Sequence, residues 1–283
     1  FTSGEDSALA FIIREYQKIG LEPANNGSYL QEVPMVEVTE TPDDLMIITT
    51  KNNQIKLNYK TDFVAFSKQL VDEITLENSE IVFAGFGIVA PEYNWNDYEG
   101  IDVKGKTVIV FVNDPGFGTF DSTFFRGNSM TYYGRWTYKY EEAARQGAKG
   151  ILIIHETEPA GYPWSVTLNR ATIPKLYLQP DDNYMSMCAV EGWITKEAAE
   201  KIFMASSYSF DELKENAKQK GFKPFKINAS VNFSMKSSHR FAKSHNVIGI
   251  LPGTDRADEI IVYSSHWDHL GIGDAHNGDS IYN

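Results

Sequence analysis

Apolar residues recur at helical spacing through residues 7–19, where Leu9, Ile12, Ile13, Tyr16 and Ile19 line one side and Gly20 supplies a left-handed cap. The pattern predicts an amphipathic helix that buries one face. Residues 45–50 and 54–59 then form two short apolar runs separated by Asn52 and Asn53, a pair that tolerates the positive φ of a tight turn, so a hairpin is expected. From about residue 75 the pattern shortens. β-rich runs at 80–84, 107–112, 150–154 and 173–178 are divided by Gly, Pro, Asn and Asp clusters. One helix over 136–146, stopped by Gly147, falls between the second and third runs, and another over 195–205 follows the fourth.

The last third changes character again. Ser209 to Glu212 forms a capping-box sequence ahead of a lysine-rich helix that ends by Gly221, and its basic residues suit a solvated face better than a binding patch. Ile227, Ala229, Val231 and Phe233 alternate with polar residues, as a half-buried strand requires. Residues 246–251 and 260–265 are more continuously apolar and suit two-sided burial in a central sheet. The fold class expected is α/β.

Composition narrows the function classes. The chain has 283 residues, 42% hydrophobic and 23% charged, which is the profile of a globular protein with room for a large core. Its 26 basic and 38 acidic residues leave a net charge of −12, which disfavours nucleic acid and anionic membrane surfaces as partners. No apolar run has the length of a membrane span. The lone Cys188 excludes an internal disulfide framework, and its setting among Met185, Met187 and Ala189 reads as a packed hydrophobe. The chain opens at Phe1 without a signal-like segment, so any targeting sequence is expected to have been removed or never included. Charge is uneven: 6 basic and 10 acidic groups in 1–70, 11 and 19 in 71–205, and 9 and 9 in 206–283. That distribution suggests a separate acidic unit in the middle.

Several motifs carry no chemistry. Gly85, Gly87 and Ala90 satisfy a dinucleotide-binding pattern on paper, but Pro91 leads into EYNWNDYEG without the helix whose amide end would hold pyrophosphate. Zincin, serine-hydrolase and P-loop motifs are absent. Asn26, Asn228 and Asn232 stand in N-x-Ser sequons, which matter only in a glycosylating secretory pathway.

The informative stretch is YSSHWDHLGIG, residues 263–273. If the backbone stays extended there, His266 and Asp268 project to the same side at the carboxyl end of a strand, where open α/β sheets place ligands. Neutral imidazole binds zinc, and a neighbouring carboxylate can orient the ring. A hydrogen-bonded surface histidine is the competing reading of the same residues. His269, Asp274 and His276 lie nearby without a coordination spacing.

The segment 245–283, with NVIGILPG, the apolar strand ending in HWDHLG, and GDSIYN in that order, resembles the start of the catalytic core of the bizinc aminopeptidases of metallopeptidase family 28. The amino-terminal helix and GLEPANNGSYLQEVPMVEV resemble the first elements of the same domain. Between them, FAGFGIVAPEYNWNDYEGIDVKGKTVIVFVNDPG and YEEAARQGAKGILIIHE resemble a protease-associated (PA) domain inserted into the peptidase. The resemblance covers nearly the whole chain. It implies an α/β zinc-exopeptidase (phosphorylase/hydrolase-like) domain in two parts, 1–70 and 206–283, around a β-rich PA domain at 71–205. It also implies that the peptidase part is incomplete at its C-terminus.

The same resemblance implies roles for single residues. His266 matches the first zinc-ligand histidine, and Asp268 the acidic residue that supports the ligand and orients the site; His269 is not a ligand position. The bridging aspartate, the glutamate pair with the general base, and the remaining ligands belong to later sequence. By this resemblance, two zinc ions would serve the full-length enzyme, a secreted or periplasmic hydrolase releasing amino-terminal residues from peptide substrates. This chain alone is expected to be inactive and to hold zinc weakly or not at all. The alternative is a PA-type module that binds proteins or peptides on a non-catalytic, transferrin-receptor-like relative. Residues 122–140, rich in aromatics, suit either a substrate-facing loop or a loop packed on its own domain.

Overall fold

The computed structural model describes residues 3–268, 271–276 and 278–282, with the backbone alone for 271–276 and 281–282. The chain forms two compact units, one of residues 37–240 and one of residues 1–36 with 241–283. Along the chain run α1 (Ser3–Lys18), β1 (Glu22–Pro23), β2 (Leu30–Pro42), β3 (Leu45–Thr50), β4 (Gln54–Asn58), β5 (Phe63–Phe66), β6 (Glu73–Phe83), β7 (Val89–Ala90), β8 (Trp95–Asn96) and β9 (Thr107–Phe111). Then come α2 (Trp136–Arg145), β10 (Gly150–His155), α3 (Thr157–Ala160), α4 (Trp164–Ala171), β11 (Lys175–Leu178), β12 (Val190–Thr195), α5 (Lys196–Ala205) and α6 (Phe210–Ala217). The remainder is β13 (Phe225–Val247), β14 (Gly249–Ile250), β15 (Gly271–His276) and β16 (Asp279–Tyr282).

The unit 37–240 is built on a mixed sheet in the order β11-β2-β13-β6-β9-β10-β12-β5, with the β3–β4 hairpin paired to β13. β6, β9, β10 and β12 are parallel, while β5 and β13 run against their neighbours. The central strands read as unbroken apolar runs because both faces are covered. Alternation then sorts their side chains by face. Ile81, Phe83, Ile109, Phe111, Leu152 and Ile154 join residues of α5 and α6 in one core, and Val82, Val108, Val110, Ile151, Ile153 and Trp193 join residues of α2 in the other. Phe83, fully buried, meets Phe111, Phe203, Phe222 and Phe225 at centroid separations of 5.5–5.7 Å, each steeply inclined to it. Burial of such a ring contributes about 1.5–3 kcal/mol, and its edge-to-face contacts add to that.

Local signals account for the helices. Thr195 Oγ1 accepts from the amide of Ala198 to start α5, Ser209 Oγ accepts from Glu212 to start α6, and α2 runs out at Gly147 with φ +81°. The β3–β4 turn closes differently from the expected paired-Asn turn. Neither Asn52 nor Asn53 has positive φ; Thr50 Oγ1 accepts from the Asn53 amide at 3.1 Å and donates to its carbonyl at 3.1 Å.

The expected boundaries at 70/71 and 205/206 fall inside the unit 37–240. Met46, Ile48, Leu57 and Phe63 before the first, and Ile227, Val231, Phe233 and Met235 after the second, belong to its core. Surface charge does not follow membership of this core. With the observed division, 37–240 holds 22 basic and 27 acidic residues, and the other unit 4 and 11, so most of the negative excess lies outside the middle.

In the second unit, β1 pairs antiparallel with β14, and Ile248 N donates to the Tyr29 carbonyl at 2.7 Å. Lys243 pairs with Glu32, and Asn246 with Gln31. The strand expected at 260–265 does not form. Ile260, Ile261, Val262 and Tyr263 are 77–93% exposed in irregular backbone. A β-branched run becomes a strand by pairing and by covering its faces, and among the described residues nothing does either for it. The strand expected at 246–251 is reduced to the end of β13 and the two residues of β14.

Candidate functional site

His266 and Asp268 lie at the end of that irregular segment. Trp267 anchors it, its indole N–H donating to the His245 carbonyl at 3.1 Å. His266 Nδ1 is 2.7 Å from the backbone carbonyl of Asp268 and 3.6 Å from the Asp268 carboxylate. A carbonyl oxygen can only accept, so Nδ1 carries the proton and a neutral ring presents the lone pair of Nε2. No hydrogen bond engages Nε2 among the described residues. Both side chains are 76% exposed, so nothing in their packing fixes the pair further.

The two predicted site residues therefore touch through the His266 ring and the Asp268 carbonyl, in irregular backbone and not in an extended strand. His269 lies outside the described residues, as do the side chains of Asp274 and His276. Among the described residues no group of three or more His, Cys, Asp or Glu stands ready to hold a metal ion. His266 fits a single zinc bond, whereas a closed zinc site takes four ligands. The described residues do not assemble a metal site.

The features set aside in the sequence have structural duties. The Gly85-Phe86-Gly87 segment wraps the buried Asp97, whose carboxylate accepts from the amides of Phe86 and Ile88 and from the Trp95 indole at 2.8–3.1 Å. Gly87 has φ +66°, and a Cβ there would lie 2.8 Å from Val110 Cγ1. Lys139, fully buried, donates to the Phe86 carbonyl at 2.6 Å. Burial pushes the Asp97 carboxyl up and the Lys139 ammonium down, and their mutual attraction opposes both shifts. Cys188 is buried with its thiol donating to the Ala148 carbonyl, and burial drives its pKa far upward, away from thiolate chemistry. In the aromatic stretch 122–140, Phe125, Tyr138 and Tyr140 are buried in the two cores, while Met130 and Tyr132 stay exposed.

Sequence reasoning missed a cavity of about 590 Å³ in the unit 37–240, at the carboxyl ends of the parallel strands. Phe86 lies beyond β6, Asp114 beyond β9, His155 and Glu156 close β10, and Thr195 to Glu197 join β12 to α5. Open α/β sheets bind ligands at this end. The one available signal was the polar run HETEP after the apolar strand ILII.

No family model matches the chain, and no curated protein matches it. Among solved structures it is similar to an aminopeptidase from Aneurinibacillus sp. strain AM-1, at 19% identity and a TM-score of 0.38, over 90% of this chain and 44% of that one. It is also similar to a zinc aminopeptidase from Bacillus subtilis, at 16% identity and a TM-score of 0.31, over 90% and 42%. The chain spans less than half the length of either protein. At such TM-scores the alignments assign no role to any residue here.

Proposed function

We propose that this chain is part of a zinc-dependent aminopeptidase of the kind seen in metallopeptidase family 28, with the unit 37–240 as a PA-type insert. One observation carries the reading: within the HWDH motif the Asp268 carbonyl holds the His266 Nδ1 proton, which leaves Nε2 free to ligate. Metal-binding histidines are oriented in this way by an acceptor on the other ring nitrogen. His266 would bind one zinc through Nε2. Asp268 would orient that ring through its carbonyl, with its carboxylate 3.6 Å from the same nitrogen. When bound, a zinc pair lowers the pKa of a held water toward ~7 and polarises the scissile carbonyl. Peptides with a free amino terminus are the proposed substrates, and a secreted or periplasmic protein is the proposed setting.

The test uses the full-length protein and an aminoacyl chromogenic substrate. Excess chelator should abolish release of the amino-terminal residue, added zinc should restore it, and His266→Ala should remove it. Full activity in chelator would sink the reading. The 283 residues by themselves are expected to be inactive and to show well under one zinc by elemental analysis. A second reading, a PA-type binding module on a non-catalytic relative, draws support from the exposed Phe120, Met130 and Tyr132. Activity of the full-length protein decides between them.

A further inference from the structure

The cavity at the carboxyl ends of the parallel strands mixes carboxylates with three lysines, Lys196, Lys214 and Lys218, around the ring of His155. His155 is 5% exposed, and its Nε2 lies 3.1 Å from the Tyr162 carbonyl. That nitrogen must donate, so in the neutral ring Nδ1 is an acceptor, and no hydrogen bond engages it among the described residues. Burial pushes the imidazole pKa down, against the opposing pull of Glu156 and Glu197, and so favours the neutral ring.

The charges around the ring are unequal in their commitments. Lys214 is held by Glu156 at 2.6 Å, Lys218 by Glu215 at 2.8 Å and Lys196 by Glu200 at 3.6 Å. Glu158 and Glu197 line the same cavity, both exposed, with no ion pair or hydrogen bond to either carboxylate among the described residues. The ring of Trp164 also lines it and packs 5.4 Å from His155, with its indole N–H turned to the Lys60 carbonyl. An anion would meet two unpaired carboxylates here. A metal ion would find no group of three ligands among the described residues.

From this arrangement we infer that the cavity is a binding site for a basic side chain, the guanidinium or ammonium of an arginine or lysine presented by a peptide. Glu158 and Glu197 supply the charge, His155 Nδ1 a directional acceptor, and the Trp164 face a cation–π surface. A volume of about 590 Å³ admits a long side chain with some flanking backbone. The site lies wholly within 37–240 and does not depend on the peptidase reading.

Isothermal titration of the whole chain at low salt tests this, using tripeptides acetylated at one end and amidated at the other with Arg, Gln or Glu in the middle. Blocked amino termini exclude recognition through a free α-amino group, so binding here is separable from peptidase activity. The Arg peptide should bind and the Gln and Glu peptides should bind at least about tenfold more weakly. Glu158→Gln with Glu197→Gln, both at exposed positions, should weaken the Arg peptide by about tenfold or more while thermal unfolding stays unchanged. Equal binding of the Gln peptide, unchanged affinity in the double variant, or no measurable binding of the Arg peptide would each overturn the assignment.

Discussion

Glu191 offers the sharpest test of the packing described for the unit 37–240. It sits on β12 opposite Phe66 of β5, on the same face as Trp193, 2% exposed, with Oε1 buried and without a hydrogen-bond partner. Burial pushes its carboxyl from 4.5 up to about 7; Lys68 and Arg170 pull it down, and Glu141 and Glu40 add to the rise. The unfolded chain ionises this group near 4.5 and the native one only near 7. Between those values the unfolded state has lost a proton that the fold retains. The group's stabilising contribution is therefore complete below 4.5 and is lost as pH rises through about 7, an interval worth roughly 3 kcal/mol. Glu191→Gln keeps the shape and removes the ionisation. Urea unfolding of both proteins at about pH 5 and pH 8 should give near-equal stabilities at the lower pH and a variant more stable by roughly 2–3 kcal/mol at the higher. Subtracting the two pH dependences cancels every other titrating group. A residual below about 0.5 kcal/mol would refute the account of Glu191 as a carboxyl held neutral by burial.

Two further outcomes rest on the core. Phe83→Ala should cost about 3–5 kcal/mol, measured by the same unfolding assay, because four inclined aromatic partners lose a common centre; a loss under about 1 kcal/mol would mean that they do not depend on it. Brief trypsin treatment should cut first at the exposed Arg256, and the fragment that persists, read by mass spectrometry, should retain 37–240; a persistent core of 71–205 without β3–β5 would contradict the observed division.

Where the sequence carried a repeating physical signal, it located the elements well. The four β-runs of the middle, the helices capped by Thr195 and Ser209, and the alternating strand around Val231 all formed, because periodicity and capping are local. The unit boundaries were not local. They depend on Met46 and Phe233 reaching one core from positions almost 190 residues apart, which no composition shift records. The run at 260–263 failed for the opposite reason, since its strand character needs neighbours that the described residues do not provide. The contact between His266 and Asp268 could be anticipated because the two residues stand two positions apart in one motif. The His155 cavity could not, because its walls come from the ends of four strands spread over more than a hundred residues.

The ends of the unit 37–240 meet. Arg240 donates from Nε and from Nη2 to the Glu37 carboxylate, at 3.2 and 3.0 Å. A folded body whose entry and exit stand side by side can be spliced into a surface loop of another protein without prying that host apart. The same geometry suits it to travel as a cassette between genes, carrying its His155 cavity with it. The recognition properties proposed for that cavity can thus have a lineage separate from that of the rest of the chain.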